Sequence, residues 1–298
     1  MMNTRRNFLK ATIGLASVFA VGFTVRKKAP RLSFSTLGCP TWSLSQIMKT
    51  AVSEGYEAVE IRGLQGELFL PKRPEFSTGI GDTRAQFSDN NLKVCNLGSS
   101  AALHHADPAT RKTNLDDAKR FIDLAQQLSC PYVRVFPNDL PKDQDRQQTL
   151  DLIAEGLMEL GRYGKDANVT VLLESHGELV HTDLLLQIFQ HAEHPNVGLI
   201  WDIFNMWSVT KEPPATTFGA LRKYIRHTHI KDATMVAGKY AYTFVGKGEV
   251  PLKEAINALK SSGYSGYYSF EWEKMWHPEI PEPELAFADY PKAMQQYF

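Results

Sequence analysis

Val169-Thr-Val-Leu-Leu-Glu174-Ser-His176-Gly177 is the stretch that decides how the rest of the sequence is interpreted. Its first five residues are apolar or β-branched, which is typical of a strand buried on both faces of a parallel sheet. The run then ends abruptly in a carboxylate, a serine, a histidine and a glycine. A charged side chain at the rim of a core must be paired, hydrogen-bonded or bound to a metal. Glu174 is therefore a candidate functional residue.

The same pattern recurs three times further along the chain. In each case an apolar run ends in an acid or a histidine, and the three stretches are Val197-Gly-Leu-Ile-Trp-Asp202, Ile225-Arg-His-Thr-His229-Ile-Lys231 and Tyr267-Tyr-Ser-Phe-Glu271. We therefore expect four successive strands to bring a Glu, an Asp, a His and a Glu to one edge of one sheet.

Length and composition narrow the class of protein. The chain has 298 residues, enough for one large α/β domain with a sizeable core. Its formal net charge is zero, which argues against a nucleic-acid partner because such surfaces normally carry a basic excess. Cys39, Cys95 and Cys130 are odd in number and form no C-x-x-C pair. We expect them to be buried and not to form disulfides or a thiolate zinc site.

The N-terminus is predicted to lie outside the fold. Thr4-Arg5-Arg6-Asn7-Phe8-Leu9-Lys10 precedes a short apolar run from Ala11 to Val25, which is typical of a twin-arginine export signal. The run is shorter than the roughly 20 residues that a membrane-spanning helix needs. We therefore interpret residues 1–30 as a signal segment without a stable membrane span, and we expect the protein to be periplasmic or exported.

Residues 31–298 alternate between strand and helix patterns eight times. The predicted strands cover residues 31–37, 58–62, 91–97, 132–136, 169–174, 197–202, 225–229 and 267–271. Parallel strands require crossovers, and eight of them with one helix each predict a closed (β/α)8 TIM barrel. An open doubly wound sheet is the structural alternative, but the first strand is not followed by a glycine-rich phosphate turn. Residues 233–250 are predicted to form a long loop.

The four strand ends suggest a metal site, because the catalytic face of such a barrel lies at the carboxyl ends of its strands. Glu174, Asp202 and Glu271 would repel one another, and each would be driven towards protonation, unless a cation lay among them. With His229 they offer three oxygen ligands and one nitrogen, a set that suits Mn²⁺ or Mg²⁺, with Co²⁺ or Zn²⁺ also compatible. The alternative is a purely structural cluster in which the acids cap helices or pair with arginine.

The order of these four residues on strands five to eight resembles the xylose isomerase-like barrels, the sugar isomerase/epimerase superfamily. The likeness covers nearly the whole chain after residue 30. It implies a metal-dependent isomerase or epimerase that acts through an enediolate on a keto or aldo sugar. In related epimerases the two metal-bound glutamates exchange protons with the sugar, a role that maps onto Glu174 and Glu271. The predicted export favours a non-phosphorylated sugar.

Three further residues are candidates for substrate binding. His176 and Lys231 follow their neighbouring ligands by two positions, so on period-2 strands they face the same side as those ligands. Asn205 stands where the related epimerases commonly carry a histidine. Two other positions of the family pattern also differ, at Val180 and Met235. The reaction could therefore be a variant, such as a β-elimination or hydration on a 3-keto sugar or glycoside.

Three other functions are alternatives to this one. A zinc-dependent AP endonuclease on the same barrel would need more histidines, whereas strand four ends in Phe136-Pro137. A non-catalytic sugar-binding protein with a vestigial metal site would use tryptophans to stack on sugar rings. A hydrolase that uses a metal-bound water is a further alternative. Except for the endonuclease, each of these functions implies a small carbohydrate as the partner. A homo-oligomer is compatible with the sequence.

Overall fold

A parallel barrel forms the centre of the protein. The computed structural model describes residues 29–298, so nearly all of the predicted signal segment lies outside the described residues. The barrel strands are β1 (Leu32–Ser35), β2 (Ala58–Ile61), β3 (Lys93–Ala102), β4 (Tyr132–Phe136), β5 (Thr170–Glu174), β6 (Val197–Asp202), β7 (Ile225–Ile230) and β10 (Tyr268–Phe270). They close in the order β1-β10-β7-β6-β5-β4-β3-β2, and every neighbouring pair is parallel. The prediction of a closed (β/α)8 TIM barrel is confirmed.

The helices cover the outside of the barrel. They are α1 (Leu44–Ser53), α2 (Ile80–Asp89), α3 (Pro108–Gln127), α4 (Arg146–Ala167), α5 (Thr182–His191), α6 (Ile203–Thr210), α7 (Pro214–Leu221), α8 (Leu252–Ser261) and α9 (Pro283–Gln295). Helix α3 begins as the sequence predicts: the Asp107 carboxylate accepts a hydrogen bond of 2.8 Å from the Thr110 backbone N–H, and Pro108 occupies the first turn. Its buried apolar stripe faces the barrel. Within residues 29–298, no helix combines the length and hydropathy that a membrane crossing requires. All three cysteines are buried and free, as predicted.

The prediction of a long loop at residues 233–250 is wrong. Strands β8 (Asp232–Val236) and β9 (Lys239–Thr243) form an antiparallel hairpin there. Its turn residues, Ala237 and Gly238, both have positive φ, at 48° and 80°, the conformation of the tight turns that match the twist of a hairpin. An alanine at the first turn position gives no recognisable hairpin signal, because asparagine, aspartate or glycine is usual there.

Two smaller differences lie close to the strand ends. Helix α6, which is not among the predicted elements, directly follows Asp202. Strand β10 ends at Phe270, so Glu271 is the first residue beyond the strand. Both changes leave the acidic side chains at the carboxyl edge of the barrel.

Candidate metal centre

The structure brings Glu174, Asp202, His229 and Glu271 together. The first two are the last residues of β5 and β6, His229 lies near the end of β7, and Glu271 follows β10. All four are buried, and each contributes one nitrogen or oxygen atom to a cluster whose atoms lie within 4.8 Å of one another. These four residues are called the acid–histidine cluster below.

The spacing inside the acid–histidine cluster fits a shared ion. The Nδ1 atom of His229 lies 3.3 Å from Glu271 Oε1, 3.7 Å from Glu174 Oε1 and 3.8 Å from Asp202 Oδ2. This buried nitrogen has no hydrogen-bond partner among the described residues. Ligands that each bind one ion at roughly 2.0–2.2 Å lie about 3 to 4.4 Å from one another. The cluster therefore has the donor set and the dimensions of a metal centre.

Glu60 contacts His229 on the ring nitrogen that faces away from the other acids. Its Oε2 atom lies 3.1 Å from His229 Nε2 and 2.9 Å from His227 Nε2, and all three side chains are buried. Since a carboxylate accepts hydrogen bonds, this contact places the His229 proton on Nε2 and directs the Nδ1 lone pair into the cluster. Burial alone would lower the pKa of His229, but the surrounding carboxylates outweigh it and raise that pKa well above its ordinary value. A proton and a metal ion would therefore compete for Nδ1.

The two carboxylate oxygens of Asp202 have different roles, one in capping a helix and one in the cluster. Its Oδ1 atom accepts a hydrogen bond of 2.8 Å from the Asn205 backbone N–H and so caps α6. Its Oδ2 atom faces the cluster and lies 2.8 Å from the ammonium of Lys231. The capping contact fixes the carboxylate and leaves Oδ2 for the cluster.

Glu174 is held by an arginine. Arg134, on β4, donates a hydrogen bond of 2.6 Å to Glu174 Oε2, while Glu174 Oε1 faces His229. The guanidinium lies 3.8 Å from the centre of the Phe136 ring. Burial by itself raises the pKa of Glu174, but Arg134 and His229 together outweigh it and lower that pKa to about 2. Glu174 is thus a carboxylate at neutral pH.

Glu271 is held by a lysine. The Lys231 ammonium donates a hydrogen bond of 2.7 Å to Glu271 Oε2 and also contacts the carboxylates of Asp202 and Glu273. Burial by itself raises the pKa of Glu271, but His229 and Lys231 outweigh it and hold that pKa well below its ordinary value. The three acids around Lys231 match the three N–H bonds of its ammonium.

The predicted substrate-binding residues all reach one cavity. It has a volume of about 370 Å³, and its lining includes His176, Asn205 and Lys231 together with Glu174 and Glu271. His176 Nδ1 lies 3.1 Å from Asn138 Oδ1, and Asn205 Nδ2 donates to the Ser175 carbonyl at 3.2 Å. Lys231 is already occupied by carboxylates, so it fixes acids of the site in addition to lining the cavity.

A larger cavity, of about 690 Å³, lies elsewhere. It is lined by residues near the amino ends of strands, among them Tyr132, Ile225 and Tyr267, and none of its lining residues is an acid or a histidine. The charged residues that line the larger cavity are all basic, whereas acids, a histidine and cations converge in the smaller one, and we therefore place the functional site there.

Two residues of the smaller cavity, Arg62 and Arg134, were missed in the sequence, as was Glu60 beneath it. All three lie within or directly after short apolar strands, where a single charge gives no distinctive signal. In the parallel pairing of β3 with β4, Arg134 lies opposite Gly98. A charged residue opposite a glycine is a signal that becomes visible only when the two strands are placed side by side.

Several known proteins with similar sequences are epimerases or isomerases. A fructoselysine 3-epimerase of Shigella flexneri is 23% identical over 260 residues, which cover 84% of this chain and 91% of that protein. An inosose isomerase of Halalkalibacterium halodurans is 24% identical over 235 residues, covering 76% and 80% of the two chains. At this level of identity the relatives place the chain among enzymes of the sugar isomerase/epimerase superfamily.

Solved structures share the fold. The IolI protein with a bound zinc atom superposes with a TM-score of 0.77 at 19% identity, over 90% of this chain and 99% of that one. A probable 3-DHS dehydratase, AsbF of Bacillus anthracis, has a TM-score of 0.73 at 17% identity, over 89% and 98% of the two chains. The family described as xylose isomerase-like TIM barrel matches residues 48–296 of the sequence. The chain belongs to this family.

Proposed function

We propose that this protein is a metal-dependent isomerase or epimerase that acts through an enediolate on a non-phosphorylated keto or aldo sugar. The observation that carries the proposal is the paired arrangement of Glu174 and Glu271. Each directs one oxygen towards His229 Nδ1 and the other towards a buried cation. The sequence relatives that are epimerases and isomerases support the same reaction class.

A divalent ion held by the acid–histidine cluster would supply the Lewis acidity that makes a C–H bond next to a carbonyl easier to break. The three oxygens and one nitrogen favour Mn²⁺ or Mg²⁺, with Co²⁺ or Zn²⁺ compatible. Glu174 and Glu271 then serve as proton acceptors, since both are ionised at neutral pH. Arg134 and Lys231 hold the second oxygen of each carboxylate, so each acid keeps one orientation towards the cavity.

A lyase or hydratase acting on a 3-keto sugar or glycoside is the second candidate. It is supported by a relative of that class, a 3-dehydroshikimate dehydratase of Pseudomonas putida, which is 26% identical over 167 residues, covering 53% of this chain and 26% of that protein. A β-elimination needs a base, and Glu174 or Glu271 would supply it. Lys231 is not the proton donor, because Asp202, Glu271 and Glu273 outweigh the effect of burial and raise its pKa well above the ordinary value.

Export through the twin-arginine route is part of the proposal. Arg5 and Arg6, followed by Phe8, Leu9 and Lys10, support it. Because that route carries folded proteins, a metal could be bound before export. Fusion of residues 1–30 to a reporter that works only outside the cytoplasm would test this, with an Arg5→Lys/Arg6→Lys pair as control.

Solvent deuterium exchange tests the proposed chemistry. Protein loaded with Mn²⁺ is incubated in D₂O with a panel of ketoses and aldoses, and the sugars are analysed by NMR. We expect deuterium at the carbon next to the carbonyl, and a mass loss of one water would instead identify the elimination.

Glu174→Gln and Glu271→Gln should each lower the rate of exchange by about 10²- to 10⁴-fold, whereas Glu57→Gln, at an exposed position, should not. A sugar that binds without exchange in any of these proteins would indicate a binding protein.

A further inference from the structure

Arg62 is a buried cation of the functional cavity that the proposed reaction does not use. It follows β2 directly and lines the cavity of about 370 Å³ together with Glu174 and Glu271. Only 6% of the residue is exposed. A guanidinium in this position faces the space in which a substrate would bind.

The cations that line this cavity differ in how they are paired. Arg134 is neutralised by Glu174 at 2.6 Å, and Lys231 contacts Glu271 at 2.7 Å. Arg62 donates only to neutral oxygens, to Ser100 Oγ at 3.0 Å and to the Gly98 carbonyl at 3.4 Å. Within residues 29–298, it forms no ion pair with a carboxylate.

A second arginine increases the positive potential at Arg62. A Cβ atom at Gly98 would lie 2.7 Å from Arg62 Cδ and 3.2 Å from Arg134 Nη2, so a glycine is needed for both side chains to cross β3 there. Burial and then the charge of Arg134 lower the pKa of Arg62 to about 9, although the carboxylates of Glu174, Glu271 and Glu60 raise it. The guanidinium therefore remains charged at neutral pH, and none of these acids forms an ion pair with it.

A buried charge is unfavourable unless a counter-charge and hydrogen bonds compensate it. The planar guanidinium has donors in a fork that matches a carboxylate. We propose that Arg62 binds a carboxylate group of the substrate, so that the substrate is a sugar acid whose carbonyl end lies at the acid–histidine cluster. This inference rests on the proposed function and specifies its substrate class.

The cavity fits a carboxylate better than a phosphate ester. A phosphate dianion is usually held by several cations or by a helix N-terminus. Of the arginine and lysine side chains that line this cavity in the described part of the chain, Arg62 alone lacks an acid partner. One guanidinium matches one monoanionic group, and phosphate esters serve as a comparison in the experiment.

Calorimetric titration of the full chain loaded with Mn²⁺ tests the inference. The probes are D-glucuronate against D-glucose, D-galacturonate against D-galactose, and D-glucose 6-phosphate. We expect at least one acid to bind about 10- to 100-fold more tightly than its neutral counterpart. Arg62→Gln should abolish this ratio and Arg62→Lys should keep part of it. Arg120→Gln, whose side chain is 63% exposed on α3, should leave it unchanged.

Three results would overturn the inference: no acid binds more tightly than its neutral counterpart, the phosphate ester binds more tightly than the acids, or Arg62→Gln weakens acid and neutral sugar equally. The last result would show that Arg62 only joins β2 to β3. If Arg62→Gln does not fold, Arg62→Lys replaces it, with a reduced acid preference as the supporting result and an unchanged one as the contrary result. Failure of the proposed function is distinguishable, because it would remove metal binding and deuterium exchange as well.

Discussion

Glu174 and Glu271 face the same histidine nitrogen but differ in the cation that each contacts. Glu174 pairs with Arg134, which contacts no other acid within residues 29–298. Glu271 has Lys231, which it shares with Asp202 and Glu273. The β5 side of the site is thus a single fixed pair, whereas the β10 side is a network of one lysine and three acids.

The two cations therefore support their glutamates in different ways. A permanently charged arginine keeps Glu174 ionised and fixed in place. A lysine among three carboxylates holds the acids together and stays charged, because those acids outweigh the effect of burial and raise the pKa of Lys231 well above its ordinary value. If the difference is functional, disturbing the two cations should not have equal effects.

The largest effect is expected from removing each cation. Deleting one partner of a buried ion pair destabilises a protein by about 3–5 kcal/mol, because the remaining charge is uncompensated. Arg134→Met leaves one acid without its cation, and Lys231→Met leaves three. We therefore expect Lys231→Met to lower the free energy of unfolding more than Arg134→Met, as measured by urea denaturation of metal-free protein.

The surface pair formed by Lys112 and Asp116 supplies a matched control. The Lys112 side chain is 76% exposed, so Lys112→Met should change stability by less than about 0.5 kcal/mol. Equal losses for Lys231→Met and Arg134→Met would show that the two sides of the site are equivalent.

An intermediate effect is expected at Glu60, which acts on the histidine that both glutamates share. Glu60→Gln keeps the shape but removes the charge that fixes the His229 proton on Nε2. Loss of such an outer partner typically lowers metal affinity by about 10- to 100-fold. Competition with a chelator of known affinity measures this loss, and Glu57→Gln, on the exposed side of the same region, is the control. An unchanged affinity would mean that the ring is oriented by packing alone.

The smallest effect is expected at Glu273, the outermost acid on Lys231. Its side chain is 14% exposed, so water replaces part of the lost contact. Glu273→Gln should lower stability by about 1 kcal/mol and leave the metal content unchanged. A loss as large as that of Lys231→Met would place Glu273 at the centre of the network.

The fold and the acid–histidine cluster could be predicted because both are properties of strand ends. An apolar run that stops at a charged residue can be recognised in the sequence, and parallel strands bring such ends together. The supporting residues could not be predicted in the same way. Arg134 lies between two valines of β4, a pattern that equally fits a solvent-facing side chain, and only closure of the barrel turns it towards Glu174.

Long-range partners account for the rest of what was missed. Glu60 and His229 are 169 positions apart in sequence, and their contact depends on β2 and β7 facing each other across the barrel. The β8–β9 hairpin was missed for a local reason, the alanine in its turn. The substrate-contact role of His176 and Asn205 stays a prediction, although both residues line the cavity.

The central claim is that Glu174, Asp202, His229 and Glu271 bind one divalent ion, and elemental analysis of the purified full-length protein tests it most directly. After exposure to Mn²⁺ and removal of free ion, we expect one ion per chain and a raised unfolding temperature, because a ligand that binds only the folded state stabilises it. The Glu174→Gln/Glu271→Gln double variant should retain less than about a tenth of that metal, as expected when two ligand charges are removed. Wild-type protein without bound divalent metal, and with the same unfolding temperature in metal and in chelator, would contradict the account.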